Sequence, residues 1–123
     1  MNDKPQRSGD EQAAVARRME HCRKQIDALD ARLVELLNQR AAHALEIGRL
    51  KESIGLETYQ PQREVVVLEQ ARSANRGPLD AGAITRLFER IIDENRRMER
   101  LLKEQHAAGG GTGTGTRPGE DTP

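Results

Sequence analysis

The sequence predicts an all-α chain of three helices, long, short and long. Apolar residues recur at three- and four-residue spacing along most of its length, which gives each stretch one apolar stripe. Helix stop and start signals at Gly55, Pro61, the Asn75-Arg76-Gly77-Pro78 cluster and Asp80 cut this pattern into three. No window shows the strict alternation of a strand. The one β-leaning patch, Val65-Val66-Val67, is flanked by helix formers.

The first helix is expected to start between Asp10 and Ala14 and to end near Ser53, before Gly55. At about 1.5 Å per residue it would be on the order of 60 Å long. A helix of that length in so small a protein needs a surface to lie against. Its seam runs Ile26, Leu29, Leu33, Leu36, then Arg40, then Ile47 and Leu50. The second helix opens on Pro61, whose missing N–H is not needed in a first turn, with Val65, Val66, Leu68 and Ala71 as its apolar positions. Asp80 is suited to cap the third helix, whose apolar side carries Ile84, Leu87, Phe88, Ile91, Ile92, Met98 and Leu102. Residues 1–13 read as a disordered lead-in, 14–106 as the helical domain, and 107–123 as a flexible Gly/Thr-rich tail.

Composition narrows the function. The chain has 123 residues, 35% hydrophobic and 33% charged, with one Phe, one Tyr, no Trp and a formal net charge of zero. That is thin for a self-contained core but ordinary for helices that bury their stripes against a partner chain. Zero net charge argues against a general nucleic-acid binder. A single cysteine, Cys22, excludes an intrachain disulfide and a cysteine-based zinc site. No segment is apolar for long enough to span a membrane, and the N-terminus lacks a signal-peptide core, so a cytoplasmic protein is expected.

The candidate site residues are polar groups on apolar faces. Arg40 stands on the first helix's seam, where a guanidinium is costly to bury unless it meets an anion. Lys51 follows eleven residues later, close to three turns, so the two share a face. On the third helix, Asn95 and Glu99 stand one turn apart and look inward together. The second helix opens with Arg63 and Glu64. Arg23 precedes Arg40 by seventeen residues, roughly 25 Å along the helix and about 100° around it. The two cannot grip one small ligand from the same straight helix, but crossed long helices in a two-fold dimer would let Arg23 reach a partner's pocket. Taken singly, each residue has an ordinary structural role: Arg40 paired with Glu35 or Glu46, Lys51 at a helix C-terminus, Glu64 in a first turn. Together they suit a small dianion that needs positioning rather than a nucleophile.

The segments RKQIDALDARLVELLNQRAAHALEIGRLK, YQPQRE, GPL and ITRLFERIIDENRRME resemble the all-helical, AroQ-type chorismate mutases. The resemblance covers about Val15 to Gln105 and rests on R-x-x-I-D-x-L-D, the L-L-x-x-R and I-G-x-x-K spacing, and Y-x-P-x-R-E, in that order. It implies an intertwined homodimeric helical bundle with two equivalent sites. The implied activity is rearrangement of chorismate to prephenate in phenylalanine and tyrosine biosynthesis, without cofactor, metal or covalent intermediate. By position, Arg40 resembles the own-chain arginine that grips a substrate carboxylate, and Arg23 the arginine donated by the other subunit. Lys51 resembles the lysine on the ether oxygen and a carboxylate, and Glu64 the glutamate on the ring hydroxyl. Arg63 resembles a supporting arginine, Asn95 a polar residue on a carboxylate, and Glu99 the Gln or Glu beside the ether oxygen. Gln60, within YQPQRE, joins the substrate-binding set. Rival readings are an isochorismate–pyruvate lyase of the same fold, a non-catalytic regulatory dimer that docks on a pathway enzyme, and a plain coiled-coil dimeriser. The last would place apolar residues at Arg40 and Asn95.

Overall fold

The computed structural model describes residues 8–57 and 59–112, and none of them lies in a strand. Three helices follow in order: α1 (Gly9–Ser53), α2 (Pro61–Ala74) and α3 (Ala81–Thr112). The chain divides into two units, one ending at Arg40 and one beginning at Ala41.

The first unit holds the start of α1. Ser8 caps it: Glu11 N–H donates to Ser8 Oγ at 3.0 Å, and Ser8 N–H donates to Glu11 Oε1 at 3.3 Å. This reciprocal pair is a capping box, and it satisfies amides that a bare helix end would leave open. It is also why α1 begins inside the stretch expected to be a disordered lead-in. Residues 9–13 are helical; residues 1–7 lie outside the described part. The apolar seam is bare, with Ile26 at 53%, Leu29 at 66% and Leu33 at 53% exposure.

The second unit contains the end of α1, α2 and α3. α1 ends at Ser53 and is closed off at Gly55, in line with the stop signal. Leu56 N–H donates to Lys51 O at 2.8 Å and Gly55 N–H to Glu52 O at 3.1 Å, with Gly55 at φ +70°. These are the two bonds of a Schellman motif, and its left-handed residue is where glycine carries no Cβ penalty. Pro61 opens α2 with Gln60 at the N-cap position. The turn after α2 is tied by Asn75, whose Nδ2 donates to Leu79 O at 2.7 Å and whose Oδ1 accepts from Gly77 N–H at 3.0 Å. Asp80 caps α3 as expected, its Oδ1 accepting from Ala83 N–H at 2.7 Å.

α2 and α3 pack on each other, and Arg72 Nη1 donates to Thr85 Oγ1 across them at 3.2 Å. The α3 face matches the expected stripe at Ile84, Phe88, Ile91, Ile92 and Met98, all half-buried, while Leu87 and Leu102 are exposed. On α2 the inward face is Glu64, Val67, Leu68 and Ala71, not Val65 and Val66, which are exposed. The reason is helical spacing: positions 64, 67, 68 and 71 fall on one stripe, and the three consecutive valines hide which of them belongs to it. α3 runs on to Thr112, past the expected boundary at 106, carried first by Ala107 and Ala108, the strongest helix-forming residue type. Residues 113–123 lie outside the described part.

Among the described residues none is fully buried. Much of the α1 seam is uncovered in the single chain.

Candidate active site

The second unit gathers most of the expected polar set. Lys51 in the last turn of α1, Gln60 at the α2 N-cap, Glu64 in the first turn of α2, and Asn95 and Glu99 on α3 are all half-buried. Arg63 is exposed; its backbone N–H donates to Gln60 O at 3.0 Å. In the first unit, Arg40 is half-buried and Arg23 is exposed.

Glu99 meets α1 at Gly48. A Cβ built on Gly48 would stand 3.5 Å from Glu99 Oε2 and 3.7 Å from Glu99 Cδ. Glycine at this point of α1 leaves room for the carboxyl to lie against the helix. Burial pushes the Glu99 carboxyl above its ordinary value, against the charges of Lys51, Arg96 and Lys103, which pull it down. Lys51 was expected in that company. Lys103 is anchored across to α1 by an ion pair of its Nζ with Glu52 Oε2 at 3.2 Å.

Arg96 is not among the residues that the sequence singles out. Its Nη2 makes an ion pair with Glu64 of α2, and its Nη1 lies 3.4 Å from Asp93 Oδ1. Its guanidinium carbon lies 5.6 Å from the centre of the Tyr59 ring, within cation–π range. In the sequence Arg96 is the first of two consecutive arginines, a pattern that reads as a solvated face. The available signal was its place: next to Asn95 and one turn before Glu99.

The arrangement places the Lys51 ammonium where its charge acts on the raised carboxyl of Glu99. It also presents the Glu64 carboxylate, paired with Arg96. Its donors are fixed on helices, which suits binding and orienting an anion more than covalent attack.

The family model for chorismate mutase type II matches residues 22–100. The chain belongs to this family. Chorismate mutases of this type are isomerases, and the matched stretch begins one residue before Arg23 and ends one residue after Glu99, so it encloses every candidate site residue. A bifunctional chorismate mutase/prephenate dehydratase of Neisseria gonorrhoeae is 40% identical over 92 residues, covering 75% of this chain and 25% of that protein. The Pseudomonas aeruginosa protein of the same name is 36% identical over 97 residues, covering 75% and 27%. This chain thus spans about a quarter of the length of these curated relatives. Among solved structures, form II of chorismate mutase from Thermus thermophilus superposes with a TM-score of 0.65 at 32% identity, covering 68% of this chain and 94% of that one. The all-helical, long-short-long fold expected from the sequence is therefore the fold of a chorismate mutase. The helical residues before Cys22 lie outside the matched stretch.

Proposed function

We propose that the chain is a working chorismate mutase, converting chorismate to prephenate, and that it acts in the cytoplasm as a homodimer. The observation that supports this most is the meeting of Lys51, the raised carboxyl of Glu99 and Gly48 on one side of the second unit, in a chain that carries the family's motifs in order. The bare seam of α1, with Ile26, Leu29 and Leu33 more than half exposed, supports the second copy, since a partner's helices would bury it.

Chorismate is a dianion whose rearrangement breaks a C–O bond and forms a C–C bond within one molecule. Binding both carboxylates holds the reactive conformer, which is catalysis by orientation. Arg40 would grip one carboxylate and the partner subunit's Arg23 the other, with Asn95, Gln60 and Arg63 in support. Negative charge grows on the ether oxygen as the C–O bond breaks. Lys51 and a protonated Glu99 would stabilise that charge more than they stabilise the ground state. Glu64 would accept from the ring hydroxyl.

Glu99 makes the reaction pH-dependent. It donates only while protonated, so activity should fall as pH rises through its raised pKa. A glutamine donates at any pH. Glu99→Gln is expected to lose the alkaline limb of the pH–rate profile and to keep activity where the wild type has lost it. An unchanged limb in the variant would show that another group sets it.

An isochorismate–pyruvate lyase shares the cationic pocket, so the deciding assay offers purified chain chorismate and isochorismate in parallel and identifies the products. Prephenate from chorismate, with isochorismate turned over at least tenfold more slowly, is the expected result; one pocket contact of about 1.4 kcal/mol suffices for that ratio. Pyruvate release from isochorismate as the faster reaction would reverse the reading.

A further inference from the structure

Arg96 is a strong cation beside the candidate site to which the proposed chemistry gives no task. It stands between three elements. Its Nη2 meets Glu64 on α2, its guanidinium faces the Tyr59 ring in the segment before α2, and it projects from α3 between Asn95 and Glu99 in sequence. Both it and Glu64 are half-buried, and Asp93 Oδ1 lies 3.4 Å from its Nη1 on the outer side. A planar guanidinium can serve a carboxylate with its edge and an aromatic ring with its face at the same time, which an ammonium cannot.

We propose that Arg96 is a positioning residue of the site: clamped by Glu64 and Tyr59, it fixes the Glu64 carboxylate and the segment leading into α2 in the geometry that receives the substrate's ring hydroxyl. The proposal rests on the chorismate mutase reading. Without the clamp, Glu64 in the first turn of α2 is free to change rotamer toward water, and Tyr59 loses the cation that holds its ring. The same guanidinium acts on the other carboxyl of the site. Glu99 is faced by Lys51 from α1 and by Arg96 and Lys103 from α3, while Glu64 faces Arg96 from α2. Arg96 thus pairs with Glu64 and limits how far burial raises Glu99.

The test compares wild type with Arg96→Met, Arg96→Lys, Tyr59→Leu and Glu64→Gln, and with the Arg96→Met/Glu64→Gln pair, by steady-state kinetics on chorismate across pH. Arg96→Met is expected to raise KM about tenfold, the loss of one charge-assisted contact, with a smaller fall in kcat. It should also shift the alkaline limb to higher pH, because Glu99 loses one of the cations that pull its pKa down. Arg96→Lys should restore the limb and only part of KM, and Tyr59→Leu should raise KM without moving the limb. In the Glu64→Gln background, Arg96→Met should cost at least threefold less in kcat/KM than it does in wild type, since its partner is already neutral. An active wild type whose Arg96→Met variant keeps both KM and limb, or whose paired losses simply multiply, overturns this proposal alone. A wild-type chain that leaves chorismate unconverted overturns the functional reading, and this proposal with it.

Discussion

Replacing Lys51 with alanine is expected to lower kcat on chorismate by about 10²–10³-fold, the cost of removing one preorganised group that stabilises charge developing in a transition state. The expectation rests on how the residue is held. Lys51 sits in the last turn of α1, and its carbonyl accepts from Leu56 N–H at 2.8 Å and from Ile54 N–H at 3.2 Å. The Schellman closure therefore fixes the backbone from which the ammonium is launched. The side chain is half-buried, and its charge is felt at Glu99 on the facing helix. An ammonium placed in advance costs no reorganisation when the C–O bond breaks, whereas water would have to turn. Lys51→Arg should not recover the rate. The guanidinium is broader and directs its hydrogen bonds in a plane, which suits a carboxylate more than a single ether oxygen. Lys51→Ala should also raise the Glu99 pKa further, since it removes a cation that lowers it, and so displace what remains of the alkaline limb upward. Steady-state kinetics with helicity checked by circular dichroism decides the matter. A folded Lys51→Ala chain within threefold of the wild-type kcat would remove Lys51 from the ether oxygen.

The parts of this fold that were legible in the sequence are those set by local chemistry. Gly55 and Asp80 act within a few residues of themselves, and the structure shows each making the bonds its residue type is suited to make. Ser8 and Glu11 carry an equally local signal, the S-x-x-E pattern of a capping box, but Pro5 and Gly9 make the surrounding stretch look unstructured and mask it. The inward face of α2 was less legible. In a run of three valines every rotation of the helix presents an apolar residue, so hydrophobicity alone cannot choose among them. Glu64 shares the inward stripe with Val67, Leu68 and Ala71, and a charged residue there argues against the stripe unless its partner is known.

That partner explains the other omission. Arg96 meets Glu64 and Tyr59 only because α2 and α3 pack together, and they lie far apart in sequence. The residues conspicuous in the sequence are those that break an apolar pattern on their own helix, as Arg40 breaks the α1 seam. Arg96 lies beside Arg97 among charged neighbours and breaks no pattern. The seam itself remains uncovered in a single chain, because what covers it in the proposed assembly is a second copy.

The second large effect concerns the two arginines of α1 in the first unit. Arg23 and Arg40 are roughly 25 Å apart along the helix and about 100° apart around it, so they cannot serve the same small dianion from one chain. In the proposed dimer, exposed Arg23 would reach the partner's site and half-buried Arg40 would serve its own. Arg23→Ala and Arg40→Ala should each cut the rate on chorismate by about 10²-fold or more, each by removing one carboxylate grip. The decisive measurement mixes the two inactive proteins in equal amounts, allows the subunits to exchange, and assays chorismate loss with prephenate identified. A hybrid dimer holds one site with both arginines and one with neither. Half of the dimers should be hybrids, so activity should return to about a quarter of the wild-type rate, far above either parent. Activity that stays at the level of the parents after exchange is demonstrated would contradict a site completed across the dimer.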